Sequence, residues 1–160
     1  MASADAELKS DGTLELSLHR DFAYPPEDVF DAWLEPDKLA IWMGHSEEMQ
    51  ARNVQADAVV GGAYSMEFDG EHGQPQRLHG RYREIVRYTR LVFTWVWEPP
   101  FDNHPETLVT VTLEPIATGT RLHLLHQRFR TAYMRDCHAQ GWEGTFAKLF
   151  SRLDRVLGKH

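Results

Sequence analysis

Two histidines near the C-terminal end, His126 and His138, are the residues of this sequence best suited to chemistry. Strand alternation in "GTRLHLLHQ" places His126 on the same face as Leu122 and Leu124, and helical phase places His138 on the apolar stripe of the next segment. Two imidazoles at the rim of an apolar cavity could orient a hydroxyl or carbonyl group, or act as acid and base near neutral pH. Alternatively, each is an interior histidine bonded to backbone groups. The sequence leaves both interpretations open.

Other catalytic arrangements find little support. The chain has nine histidines, yet it contains neither an HExxH motif nor a cysteine cluster, and His123 and His126 face opposite sides of their strand. We therefore expect no metal and no cofactor. The single cysteine, Cys137, lies away from the apolar stripe, so a nucleophilic role is disfavoured. Glu84 shares the alternation of Tyr82, which makes it a carboxylate that could face inward.

The elements that must position these residues follow from periodicity. A strand from Leu14 is followed by two short helices, "YPPEDVFDAWL" and "EPDKLAIWM", and then by consecutive strands, with a turn near 69–75 and a loop near 99–106. A long helix is predicted from Ala132 to Leu157. This order predicts an α+β domain over 13–160, in which about seven antiparallel strands curve around the long helix. Residues 1–12 are expected to be disordered or frayed.

The long helix contains two glycines, Gly141 and Gly144, although glycine weakens a helix interior. They indicate either clearance beside a cavity or close packing of another segment. We favour a cavity, because tryptophan and tyrosine rings often line pockets. The expected ligand contacts are Trp33, Trp42, Tyr64, Met66, Tyr82, Phe93, Trp95, His126, His138, Gly141, Trp142 and Thr145.

Charge and composition narrow the classes of partner. The formal net charge is -7, and no long Lys/Arg run is present, which argues against nucleic acid or an anionic membrane. The polar N-terminus resembles neither a signal peptide nor a membrane span, so we expect a cytoplasmic protein without membrane insertion.

Five segments in order resemble the START-like helix-grip (SRPBCC) superfamily. They are "AYPPEDVFDAWLEPDKLAIWM", "ADAVVGGAYSMEF", "GRYREIVRYTRLVFTW", "VTVTLEPIATGTRLHLLHQRF" and "HAQGWEGTFAKLFSRL". The branch most similar is the C-terminal domain of the activator of the heat-shock-protein-90 ATPase. The resemblance implies a deep cavity between the long helix and the sheet. Met43 departs from this branch, which often has tryptophan there, so the cavity mouth is expected to have a different shape.

The resemblance implies function only broadly, since members bind apolar molecules, catalyse cyclisation or hydrolysis, or act on a chaperone. Our first hypothesis is binding of a small, largely apolar molecule, aromatic or lipid-like, between helix and sheet. One alternative is a cyclase- or hydrolase-type enzyme that uses His126 and His138. Another is a chaperone-interacting regulatory domain. Homodimer formation stays open.

Overall fold

The computed structural model describes residues 5–8, 14–69, 75–98 and 106–157. Its elements in chain order are β1 (Asp5–Leu8), β2 (Leu14–Phe22), α1 (Pro26–Ala32), α2 (Pro36–Trp42), β3 (Arg52–Ala56), β4 (Ala63–Asp69), β5 (Pro75–Val86), β6 (Arg90–Glu98), β7 (Thr107–Ile116), β8 (Gly119–Phe129), α3 (Ala132–Ser151) and α4 (Leu153–Val156). The predicted turn within 70–74 and the predicted loop within 99–105 lie outside the described residues.

The strands form one antiparallel sheet in the order β1-β2-β8-β7-β6-β5-β4-β3. The predicted α+β helix-grip architecture, a curved sheet around a long C-terminal helix with two short helices after Leu14–Phe22, is confirmed. The sequence did not predict β1. Asp5–Leu8 pairs with β2 inside the segment expected to fray, and 1–4 and 9–12 of that segment lie outside the described residues.

The long helix ends earlier than its apolar stripe indicated. The prediction extended to Leu157, whereas α3 stops at Ser151, and Arg152 has non-helical backbone angles (φ -119°, ψ 15°) before the short helix α4. The Arg152 guanidinium donates to the Ile41 carbonyl at 2.7 Å and pairs with Glu47 at 2.8 Å. The end of α3 is thereby tied to the end of α2 and to the loop after it.

The two short helices begin with proline, whose fixed φ suits the first helical turn. Trp42 at the end of α2 donates its indole N–H to the Ala32 carbonyl of α1 at 2.9 Å. The Trp42 ring meets Trp33 edge-on, with 4.8 Å between centroids. These contacts make α1 and α2 one packed unit that covers part of the sheet.

A buried lysine fixes the loop between α2 and β3. Lys148 on α3 is only 1% exposed, and its ammonium donates to the carbonyls of Met43 and Met49. Burial lowers the pKa of this ammonium below its usual range, because the charged form loses hydration. The loop packs so closely because Gly44 has φ +121°, a conformation that side chains rarely adopt.

The two helical glycines have different surroundings. A methyl group on Gly144 would lie 2.1 Å from the His45 carbonyl oxygen, so only glycine lets this loop reach the helix. A methyl group on Gly141 would meet its nearest neighbour, the His45 Cβ, at an ordinary 4.0 Å. Close packing of another backbone therefore explains Gly144, and Gly141 has no such contact.

The matched pair Gly144→Ala and Gly141→Ala tests this distinction. Gly144→Ala should destabilise the fold by ~1–3 kcal/mol, because the methyl group overlaps a backbone carbonyl. Gly141→Ala should be neutral or stabilise by up to about 1 kcal/mol, because alanine favours helix and the methyl group fits. Urea unfolding measures both, and equal effects of the two substitutions would contradict the assignment.

Candidate functional site

An apolar cavity of the described structure lies beneath the two short helices. Strands β4, β5 and β6 form its floor, and α1, α2 and the residues after them form its roof. Its lining consists of Trp33, Leu39, Met43, Tyr64, Met66, Tyr82, Phe93 and Trp95. All eight side chains are uncharged and five of them are aromatic, so the cavity suits apolar surface and flat rings.

This location corrects the expected one. The cavity was predicted between the long helix and the sheet, yet none of its lining residues belongs to α3. The reason is that Trp142 and Phe146 fill the inner face of α3. The Trp142 ring lies 5.9 Å from Trp33 and 5.1 Å from Trp95, which leaves the free space on the other side of these two rings.

The cavity is nearly filled by its own side chains in this conformation. The gaps between its lining atoms amount to ≈ 280 Å³, part of which is open to solvent. The space that admits the centre of a water-sized sphere is only ≈ 10 Å³. That is about the minimum for one water molecule, so a larger ligand requires side chains to move.

Two buried donors belong to the cavity lining. The indole N–H groups of Trp33 and Trp95 find no acceptor among the described residues, although the side chains are only 3% and 7% exposed. Tyr64 differs, because its hydroxyl donates to the Thr94 carbonyl at 2.5 Å. The unpaired polar groups at this site are therefore hydrogen-bond donors held in an apolar wall.

The two tyrosines of the lining resist ionisation. Burial raises the pKa of Tyr82 and raises that of Tyr64 well above the usual value, because a phenolate would lose its hydration. The two rings lie 5.6 Å apart, so each phenolate would also repel the other. Both hydroxyls consequently stay protonated at neutral pH, and the cavity carries no charge from them.

The two candidate catalytic histidines are neighbours outside this lining. His126 on β8 and His138 on α3 have ring centroids 5.1 Å apart. The Trp95 ring lies 5.3 Å from His126 and 6.3 Å from His138, so Trp95 contacts both the histidine pair and the cavity. The sequence correctly placed the two imidazoles together and inside, but the cavity is lined by other residues.

The hydrogen bonds of His126 assign its tautomer. Trp142 donates its indole N–H to His126 Nδ1 at 3.0 Å, so this nitrogen accepts. The neutral ring then carries its proton on Nε2, which donates to the Thr107 hydroxyl at 2.7 Å. Thr107 in turn donates to the Trp95 carbonyl at 3.3 Å. Each donor in this series of hydrogen bonds, from Trp142 to the Trp95 carbonyl, is thus matched with an acceptor.

His138 is held in the opposite tautomer. Its Nδ1 lies 2.8 Å from the Met134 carbonyl, which can only accept, so Nδ1 carries the proton. Its Nε2 accepts from the Trp97 indole N–H at 3.2 Å. Both nitrogens of both rings are thus engaged with protein groups, which favours a structural role for the pair over acid–base chemistry.

The predicted ligand contacts divide into two groups. Those that line the cavity are Trp33, Tyr64, Met66, Tyr82, Phe93 and Trp95. Those that lie elsewhere are Trp42, His126, His138, Gly141, Trp142 and Thr145. Thr145, for example, donates its hydroxyl to the Gly141 carbonyl one helical turn earlier at 2.7 Å.

Two lining residues, Leu39 and Met43, were not among the predicted ligand contacts. The apolar stripe of α2 was the available signal for Leu39, and the departure from the family pattern was the signal for Met43. Glu84 was expected to be able to face inward with Tyr82, but the register shifts between these two residues. Because a bulge reverses the alternation, Glu84 points to the surface and pairs with Arg90 at 3.0 Å.

The described residues also bear on metal binding and on membrane insertion. No group of three or more His, Cys, Asp or Glu side chains there is arranged to hold a metal ion. None of the helices described is both long and apolar enough to span a membrane.

The raised pKa of Tyr82 predicts a specific loss of stability in alkali. Unfolded tyrosines ionise near pH 10, whereas the buried one resists, so its contribution is complete below about pH 10 and is lost as pH rises further. Tyr82→Phe should therefore make the free energy of unfolding fall less steeply above pH 10. Urea unfolding at several pH values measures this, with Tyr133→Phe on a ring that is 72% exposed as the control. If the free energy of unfolding of Tyr82→Phe fell with pH as steeply as that of the wild type, the raised pKa of Tyr82 would be contradicted.

Comparisons with known proteins agree with this architecture. A protein from Chromobacterium violaceum is 32% identical, with a TM-score of 0.76 over 84% of this chain and 93% of that one. A Silicibacter pomeroyi protein called AHSA1 is 26% identical, with a TM-score of 0.76 over 87% and 96% of the two chains. An Arthrobacter aurescens protein at 24% identity shares the fold, with a TM-score of 0.77 over 98% and 91%. No curated protein matches the chain.

The family model described as "Activator of Hsp90 ATPase homolog 1-like protein" matches residues 23–154. This range contains both short helices, strands β3 to β8, all of α3 and every residue that lines the cavity. The chain therefore belongs to the family of activator of Hsp90 ATPase homolog 1-like proteins, within the START-like helix-grip superfamily.

Proposed function

We propose that this protein binds a small, flat, largely apolar molecule in the cavity beneath α1 and α2. The observation that carries the proposal is the lining itself, in which five aromatic rings and three flexible apolar side chains surround the space. Such walls favour ligands with extensive apolar surface, because burial of that surface on both sides drives binding.

The roof and β4 both contribute flexible apolar side chains to the cavity. The roof contributes Leu39 and Met43, and β4 contributes Met66. Methionine is unbranched and has three rotatable bonds, so it can repack around different shapes at little cost. The aromatic residues of the floor are held more firmly, as the Tyr64 hydrogen bond shows. Entry of a ligand would therefore proceed by displacement of the roof side chains.

The enzymatic alternative has less support. General acid–base catalysis needs an imidazole nitrogen within reach of the reacting atom. The nitrogens of His126 and His138 are bonded to tryptophan, threonine and backbone groups, and Trp95 lies against both rings. A substrate would have to break these bonds before either histidine could act.

The chaperone alternative would require a large exposed apolar or charged surface. The large apolar side chains that are exposed among the described residues belong to separate segments: Val59 and Val60, Val86 and Tyr88, and Tyr133 and Phe150. Side chains in separate segments support a chaperone-binding surface less than the lining supports a binding cavity, so we do not propose chaperone binding.

The binding proposal predicts that N-phenyl-1-naphthylamine, a neutral dye that brightens in apolar surroundings, binds saturably at one site per chain. Met43→Trp should weaken its binding at least tenfold, because the added ring occupies the roof of the cavity. Val86→Trp adds the same ring at a position that is 46% exposed, and it should bind like the wild type.

Dye fluorescence measures all three titrations at native pH. A flat wild-type titration would contradict the proposal, and so would equal binding by Met43→Trp in a folded protein. Circular dichroism of each variant confirms the fold before the titration.

A further inference from the structure

We infer that the indole N–H groups of Trp33 and Trp95 select the occupant of the cavity, and that this occupant is an uncharged flat molecule with a carbonyl-type oxygen. The inference rests on the proposed binding function and adds the chemical class of the ligand.

The five tryptophans of the chain fall into two groups, those that line the cavity and those that do not. The three that do not line it all have an acceptor for the indole N–H: Trp42 bonds the Ala32 carbonyl at 2.9 Å, Trp97 bonds His138 at 3.2 Å, and Trp142 bonds His126 at 3.0 Å. The two that line it, Trp33 and Trp95, have none among the described residues. Among the five tryptophans, the two without an acceptor in the described part of the chain are therefore the two that line the cavity.

Such donors are unusual in a packed interior. Most buried polar groups are hydrogen-bonded, and an unpaired one destabilises the fold. Trp33 and Trp95 are nine-tenths or more buried, so bulk water does not readily compensate. A ligand oxygen would supply the acceptor that the protein lacks at this position.

The two rings occupy adjoining walls of one space. Trp33 follows α1 in the roof, and Trp95 lies on β6 in the floor. Their centroids lie 6.4 Å and 6.5 Å from Phe93, and 5.9 Å and 5.1 Å from Trp142. Because both rings share these neighbours, one small ligand can contact both.

The lining also determines the charge of the ligand. An indole N–H can only donate, so the matching ligand atom must accept. None of the eight lining side chains is charged, and buried ions without a partner lose much hydration energy. A carboxylate or phosphate would therefore be disfavoured, whereas a ketone, quinone or similar neutral carbonyl would fit.

The ring frame of a ligand requires side chains to move, but the space already present can hold its oxygen atom. The free volume of ≈ 10 Å³ is about one water-sized sphere. A carbonyl oxygen can replace the hydrogen bonds of a water molecule there, whereas a hydrocarbon group cannot. Two ligands of the same shape, with and without the oxygen, should consequently differ in affinity.

The pair 9-fluorenone and fluorene provides this test, because both have the same three-ring frame and only the first has a carbonyl. Displacement of N-phenyl-1-naphthylamine measures both affinities. In the wild type, fluorenone should bind about five- to tenfold more tightly than fluorene, the ratio expected for one or two hydrogen bonds. Trp33→Phe and Trp95→Phe keep an aromatic ring and remove the N–H, and each should reduce this ratio by about threefold or more.

The control is Trp97→Phe, which removes an indole N–H that does not line the cavity and should preserve the wild-type ratio. If a variant does not fold, nuclear magnetic resonance of the wild-type protein tests the same assignment without any substitution. In a spectrum of nitrogen-15-labelled tryptophan, fluorenone should shift two of the five indole N–H signals downfield, and fluorene should not.

The outcomes separate the two proposals. Equal affinity for fluorenone and fluorene in the wild type would overturn the carbonyl assignment and leave the binding function intact. An unchanged ratio in both Trp33→Phe and Trp95→Phe would also overturn it, because the oxygen would then be recognised elsewhere. If the dye binds but neither ligand displaces it, the carbonyl assignment fails and the binding function stands. If the dye itself does not bind, both proposals fail.

Discussion

The pairing of indole N–H groups in and around one apolar layer is the constraint on which the rest of this structure depends. Indole is a large apolar body with one donor, and a buried donor without an acceptor costs free energy. The two interior histidines meet this need for Trp97 and Trp142, since each presents one ring nitrogen as an acceptor. The tautomers of the two histidines follow from these hydrogen bonds. The same bonds hold both imidazoles against the Trp95 ring.

The same layer explains where the cavity lies. Because Trp142 and Phe146 fill the inner face of α3, the apolar cavity lies beneath the short helices. Those helices are held in place by α3 and the residue after it. Lys148 of α3 bonds the loop after α2, and Arg152 bonds the Ile41 carbonyl. The long helix therefore acts as a support. It positions the roof of the cavity, and the roof and the sheet supply the lining.

Periodicity predicted the architecture well and the position of the free space poorly. Alternation and helical phase correctly grouped His126 with His138, and they placed Trp95 and Tyr82 inside, because both patterns depend only on backbone geometry. They failed at Glu84, where a bulge reverses the alternation, and at Ser151, after which Arg152 leaves the helical conformation. Whether a face is filled or open depends on side-chain packing across elements, and a single stripe does not contain that information.

The most direct test of the account is the location of a bound ligand, read from its contacts with methionine methyl groups. Met43 and Met66 line the cavity, whereas Met134 lies in α3 beside His138 and is 3% exposed. With carbon-13-labelled methionine methyls, bound 9-fluorenone should give intermolecular nuclear Overhauser effects to Met43 and Met66 and none to Met134. Effects to Met134 without those to Met43 and Met66 would place the ligand at the histidine end of α3 and contradict the account.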